Sequence, residues 1–135
     1  MKIYEITQSK SKTIVFEDLE NVKADINRWA MDNGYPQIRF TKHMNRRKLH
    51  GRDDNDLTTT IKDDDLKMAI GSTLDTYGDE ILAMQSGETA VMQHKDTDIN
   101  VPFVVDHQPD GRTELIVTTI MKEPNFRTGN KVYQV

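Results

Sequence analysis

A chain of 135 residues with 18 Lys and Arg against 22 Asp and Glu carries a formal net charge of −4, and its length suits one domain, residues 1–135, with a real core. The absence of cysteine excludes disulfides, thiolate zinc sites and cysteine nucleophiles. No apolar stretch approaches the length of a membrane span, and the first six residues lack the apolar run of a signal peptide, so no membrane partner and a cytoplasmic location are expected. The acidic balance argues against indiscriminate wrapping of nucleic acid. It leaves room for a local basic site, because each charge reaches only about 8 Å at physiological salt.

Residues 2–6 alternate polar and apolar as in a short strand, and 9–12 read as a turn. Thr13-Ile14-Val15-Phe16 is β-branched and aromatic, again strand-like. Asp18 is placed as a helix N-cap, followed on one helical face by Leu19, Val22, Ile26 and Trp29. Asn33-Gly34 closes that helix. Trp29 reads as a core anchor or as an aromatic platform for a base. Tyr35-Pro36 turns the chain into an extended run over 37–40.

The stretch from Arg39 to Arg52 then holds six of the eighteen basic residues and two of the four histidines. Positive charge concentrated against the global balance creates a local potential for an anionic partner. Thr41 can cap a helix whose first positions are Lys42, His43 and Met44. A helix N-terminus attracts phosphate. The same field, added to Lys42, Arg46 and Arg47, disfavours protonation of His43 and suits it to act as a general base. Helical neighbours three and four apart put His43 beside Arg46 and Arg47, and Arg46 beside His50. The competing reading is a solvated basic face paired with the acids that follow.

Gly51 ends that helix. Six acids fall among residues 53–65, without the calcium-loop order of ligands, glycine and distal glutamate; a flexible loop is expected, with Asp64 or Asp65 capping the next helix and no metal or other cofactor. Leu66, Ile70, Leu74 and Tyr77 mark that helix, over about 65–85, with Gly78 weakening it and Gly87 ending it. Strands are expected at 89–93, 100–106, 113–121 and 131–135. Pro109-Asp110-Gly111 makes a tight antiparallel turn between the second and third of these, and 124–130 is the loop before the last. The order implies an α+β fold, with N-terminal helices packed on one face of an antiparallel β-sheet formed mainly by the C-terminal half.

Serine-hydrolase and phosphate-loop signatures are absent, and so is any zinc-like histidine pair. The inventory therefore permits a metal-free acid/base enzyme best. RNA is the natural substrate, because its 2′-hydroxyl is a built-in nucleophile needing only a base, an acid and cations. From Leu19 to about Leu66 the chain resembles the phage RegB-type endoribonucleases, within the RelE-like ribonuclease toxin folds. The amphipathic helix, the extended link and Arg39-Phe40-Thr41-Lys42-His43-Met44-Asn45-Arg46-Arg47 carry the resemblance. It implies metal-independent cleavage through 2′-hydroxyl attack, leaving a 2′,3′-cyclic phosphate, with His43 as the first catalytic histidine and Arg46 or Arg47 as its arginine. The family's second histidine has no counterpart on the helix after residue 65. Its substitutes are His50, His94 and His107, with His107, beside a turn, the first choice as acid. Arg39, Lys42, Lys48, His50 and Arg52 would track the RNA backbone. The alternative is a non-catalytic module binding RNA or a host protein through residues 39–52, or an adaptor whose basic and acidic segments face one another.

Overall fold

The computed structural model describes residues 13–42 and 58–135. The strand expected at 2–6, the turn at 9–12 and the acids Asp53, Asp54 and Asp56 lie outside them. Strand β1 (Thr13–Phe16) leads into helix α1 (Leu19–Asn33), whose Asp18 carboxylate accepts the Asn21 N–H at 3.0 Å. Gly34 ends the helix at φ 73°, the left-handed conformation that glycine tolerates. Strand β2 (Gln37–Phe40) follows as expected.

Strand β3 (Thr58–Ile61) was not foreseen. It pairs in parallel with β1, from Thr13↔Thr58 to Phe16↔Ile61, and runs directly into helix α2 (Asp63–Leu82). Parallel pairing sets the two helix starts side by side, and this corrects the cap expected from Asp64 or Asp65. Asp63 opens α2 after Lys62, which supplies no side-chain cap. The Asp63 N–H instead donates to Glu17 Oε1 at 2.8 Å. Asp63 returns the favour across the gap: its Oδ1 accepts the Asp18 N–H at 3.0 Å and its Oδ2 accepts Asn21 Nδ2 at 3.1 Å. Helix starts have free N–H groups that need acceptors, and here each helix draws on a carboxylate from the other.

From that clasp the helices run parallel. Lys67 Nζ donates to Asp25 at 2.6 Å, holding the Asp25 carboxyl below the usual carboxylate range and raising the Lys67 ammonium. That contribution is present above the unfolded carboxylate value and fades as pH falls through the lowered one. Further along, the tilted Trp29–Tyr35 ring pair, 5.1 Å between centroids, lies against Gly71 and Gly78 of α2. Tyr35 donates its hydroxyl to Asp75 at 2.9 Å. Trp29 is a half-buried residue packed on the core, in keeping with the anchor reading.

The sheet comprises β4 (Thr89–His94), β5 (Ile99–His107), β6 (Thr113–Val117), β7 (Met121–Lys122) and β8 (Lys131–Gln134), with β2 added. Its order is β2-β6-β5-β4-β8, with β7 also on β5. The β4-β5-β6 centre is antiparallel, as expected, while β2 and β8 join its two flanks in parallel. The α+β class is thus shown, with a mixed rather than wholly antiparallel sheet. Residues 108–112 close the β5–β6 hairpin, with Gly111 at φ 94° and the Gln108 N–H on the Arg112 carbonyl at 2.7 Å.

The strand expected over 113–121 is broken, for a reason found in β5. Val105 exchanges backbone hydrogen bonds with Gly87 and Glu88 on the β4 side. By alternation, Pro102 has its missing donor on the β6 side. Val117 pairs with Phe103 and Met121 with Asn100, so Val101 and Pro102 face residues 118–120: two residues oppose three. The proline leaves a gap in the ladder, and the extra residue is absorbed there.

Ile38, Phe40, Ala90, Met92, Val101, Phe103, Val105, Leu115, Val117 and Tyr133 turn to one face of the sheet and form one contiguous core with Leu19, Val22, Ile26, Leu66, Ile70, Leu74 and Ile81 of the helices. On the edge, Asn27 of α1 grips β2: its Nδ2 donates to the Ile38 carbonyl at 3.0 Å and its Oδ1 accepts the Ile38 N–H at 2.7 Å.

The glycines of α2 yield a paired prediction. A Cβ on Gly78 would meet the Tyr35 ring at 3.0 Å, whereas one on Gly71 would lie 3.9 Å from Trp29. Alanine gains about 0.5–1 kcal/mol over glycine inside a helix, but overpacking costs about 1–3 kcal/mol. Thermal melts should show Gly71→Ala unchanged or stabilised and Gly78→Ala destabilised; equal melting points would contradict the groove.

Candidate nucleic-acid interface

Strand β2 delivers the start of the basic stretch. Phe40 turns into the core, which sends Arg39 to the opposite face, where its Nε pairs with Glu114 Oε1 at 3.2 Å and its side chain stays 53% exposed. The Thr41 N–H donates to the Val117 carbonyl at 3.2 Å, and the backbone becomes helical at Lys42, an exposed residue. His43, Arg46, Arg47, Lys48, His50 and Arg52 lie outside the described residues.

His107 is placed apart from that start. Gln37 pairs with Glu114, beside the Thr113 level that faces His107, while Phe40 pairs with Val117, opposite Phe103. Four residues of β5 separate those levels, about 13 Å of strand, and the chain leaves β2 at the end away from His107. Both ring nitrogens of His107 are also engaged. The Met84 carbonyl, 2.5 Å from Nε2, can only accept, so Nε2 carries a proton. In the neutral ring Nδ1 then accepts from the Thr113 hydroxyl at 2.9 Å. The His107 N–H donates to Ser86 Oγ at 2.8 Å. This histidine ties the turn after α2 to the end of β5 and the start of β6.

His94, the other sheet histidine, ends β4 at the opposite end of the β5 line, opposite Ile99. It is 9% exposed, and its Nδ1 shares a 2.8 Å hydrogen bond with Thr97 Oγ1. Next to it, on the face away from the helices, lies a row of amides. Gln134 Nε2 donates to Gln93 Oε1 at 2.6 Å, and Gln93 Nε2 donates to Asn100 Oδ1 at 3.0 Å. Asn100 Nδ2 donates to the carbonyls of Asp98 and Glu123 at 3.0 and 3.2 Å. Sequence reading missed this row. Its members sit on three strands, and their alignment depends on pairings that no local pattern encodes.

Among the described residues no group of three His, Cys, Asp or Glu side chains is placed to hold a metal ion, and no helix is long and apolar enough to cross a membrane. No family model, curated protein or solved structure matches the chain.

Replacing His107 by alanine leaves the Met84 carbonyl and the Thr113 hydroxyl without their partner. The loss of such bonds costs about 1–3 kcal/mol, so urea unfolding of His107→Ala should show a lower midpoint at unchanged slope. An unaltered midpoint would remove the positional role assigned to this ring.

Proposed function

We propose that the chain engages RNA through residues 39–52 and cleaves it without a metal. His43 takes the proton of the 2′-hydroxyl, whose oxygen attacks the adjacent phosphorus. The bond to the 5′-oxygen breaks, and a 2′,3′-cyclic phosphate and a 5′-hydroxyl remain. Arg46 and Arg47 stabilise the charge that develops on the phosphate oxygens; Arg39, Lys42, Lys48, His50 and Arg52 hold the flanking backbone. The departing oxygen takes its proton from water, since the His107 ring is committed to Met84 and Thr113.

The observation that supports this reading most directly is the helical backbone at Lys42, straight after Thr41 and at the exposed end of β2. A phosphate meeting a helix start flanked by cations is attracted by both the free N–H groups and the charges. The engaged His107 ring favours a second reading, in which the same stretch binds RNA, or a host protein, without cutting it. Localisation in the cytoplasm belongs to either proposal.

Purified protein incubated with mixed RNA in EDTA separates them. Cleavage predicts ends bearing cyclic phosphate, with His43→Ala slower by about 10²–10⁴-fold. Binding without products, weakening with salt, selects the second reading. No RNA binding at low salt refutes both.

A further inference from the structure

Residues 123–130 link β7 to β8 across the face of the sheet turned away from α1 and α2. The Thr89 hydroxyl donates to Asn130 Oδ1 at 3.2 Å, and the Glu123 carbonyl accepts from Asn100. Asn100, bonded to this strap, is 0% exposed and Val91 on the same face is 1% exposed, although both turn away from α1 and α2. The turn Pro124-Asn125, with Asn125 at φ 59°, lifts the strap off the ends of β4 and β5 and leaves a cleft of about 380 Å³.

Its lining divides by chemistry. Gln93, Asn100 and Gln134 form the amide floor, Phe126 is half-buried in the strap, Lys95 and Arg127 stand exposed, and Asp98 and Glu123 supply carboxylates. Among the described residues neither Lys95 nor Arg127 has an ion-pair partner. His94 also contributes to the lining, with its Nδ1 on Thr97.

We propose that this cleft binds a single nucleotide. Each part of the lining has a counterpart on that ligand. The Gln93 and Gln134 amides, which are not fully buried, read the polar edge of a base, an aromatic ring stacks on its face, cations meet the phosphate, and carboxylates accept the ribose hydroxyls. The volume lies within the usual range of small-molecule sites, about 300–1,000 Å³. The nucleotide is either free or part of an RNA strand. Arg39 turns to the same face as Gln93 and Asn100, two strands and four residues from Asn100 by register, a separation on the order of 16 Å. An RNA chain lying on the basic stretch can therefore reach the cleft within a few nucleotides. The inference does not rest on cleavage at His43.

The test is an NMR titration of the full chain with AMP, GMP, CMP, UMP and, separately, inorganic phosphate. At least one mononucleotide should shift the side-chain amide signals of Gln93, Asn100 and Gln134 and the ring signals of His94. The Arg127→Gln variant should raise its Kd about tenfold, the single-contact scale of 1.4 kcal/mol, and Lys42→Ala should leave it unchanged. A short single-stranded RNA binding tighter than the mononucleotide, and weakened by both variants, identifies an RNA nucleotide as the occupant. Equal affinities insensitive to Lys42→Ala identify a free one. Both outcomes support the cleft. Absence of amide shifts with every mononucleotide and with RNA overturns it, as do shifts that phosphate alone reproduces. Loss of RNA binding in Lys42→Ala with the mononucleotide shifts intact supports the cleft and separates it from the basic stretch, whereas loss of the mononucleotide shifts in Lys42→Ala overturns it.

Discussion

The exchange of carboxylates between two helix starts governs how this fold is put together. Glu17 serves the first N–H of α2 while Asp63 serves the N–H before α1, so neither helix start is complete without its neighbour. The parallel β1–β3 pair fixes this juxtaposition, and the helices can then only run the same way. Trp29 and Tyr35 settle into the strip left open by Gly71 and Gly78. A glycine inside a helix lowers its intrinsic stability; here the loss is offset by the close approach of two large rings. With α2 so placed, α1 sits above β2, where Asn27 occupies the hydrogen-bonding positions of a missing strand at Ile38. The exposed end of β2, and with it Arg39 and Lys42, takes its position from this chain of constraints.

The opposite face of the sheet follows a different logic. Neither α1 nor α2 covers it, yet Asn100 is fully buried there, bonded to the start of the strap, and its amide finds partners in Gln93, Asp98 and Glu123. A buried amide left unsatisfied would be destabilising, so the row across β8, β4 and β5 fixes the mutual register of those strands. Pro102 contributes from within the same strand. It stops the β6 ladder after Val117 and gives the chain slack before β7 and the strap.

Local rules recovered the local features. Asp18, Leu19, Val22, Ile26 and Gly34 spell out α1 by cap, spacing and stop, and Pro109-Asp110-Gly111 spells out the β5–β6 turn. Strand β3 was hidden because its four residues sit among aspartates, and its partner is more than forty positions away. The break after Val117 was hidden because its cause, Pro102, lies on the neighbouring strand. The helical backbone at Lys42 was legible, while six other residues of the basic proposal lie outside the described segments. His107 was legible only as a residue near a turn; that Met84 and Thr113 hold its ring could not be read from spacing.

The parallel flanks of the sheet also set an order of assembly. The β4-β5-β6 meander closes through short connections, whereas β2 must find β6 across some seventy-seven positions and β8 must find β4 across about forty. Such non-local pairings carry a larger loop-closure cost and are slow to form. Both flanks should therefore dock onto a preformed centre and open before it, and amide hydrogen exchange would register faster exchange in β2 and β8 than in β5. The basic stretch leaves from one flank and the strap enters the other. The two surfaces proposed to meet nucleic acid are thus carried by the strands with the greatest freedom to adjust, on a centre that does not need to move.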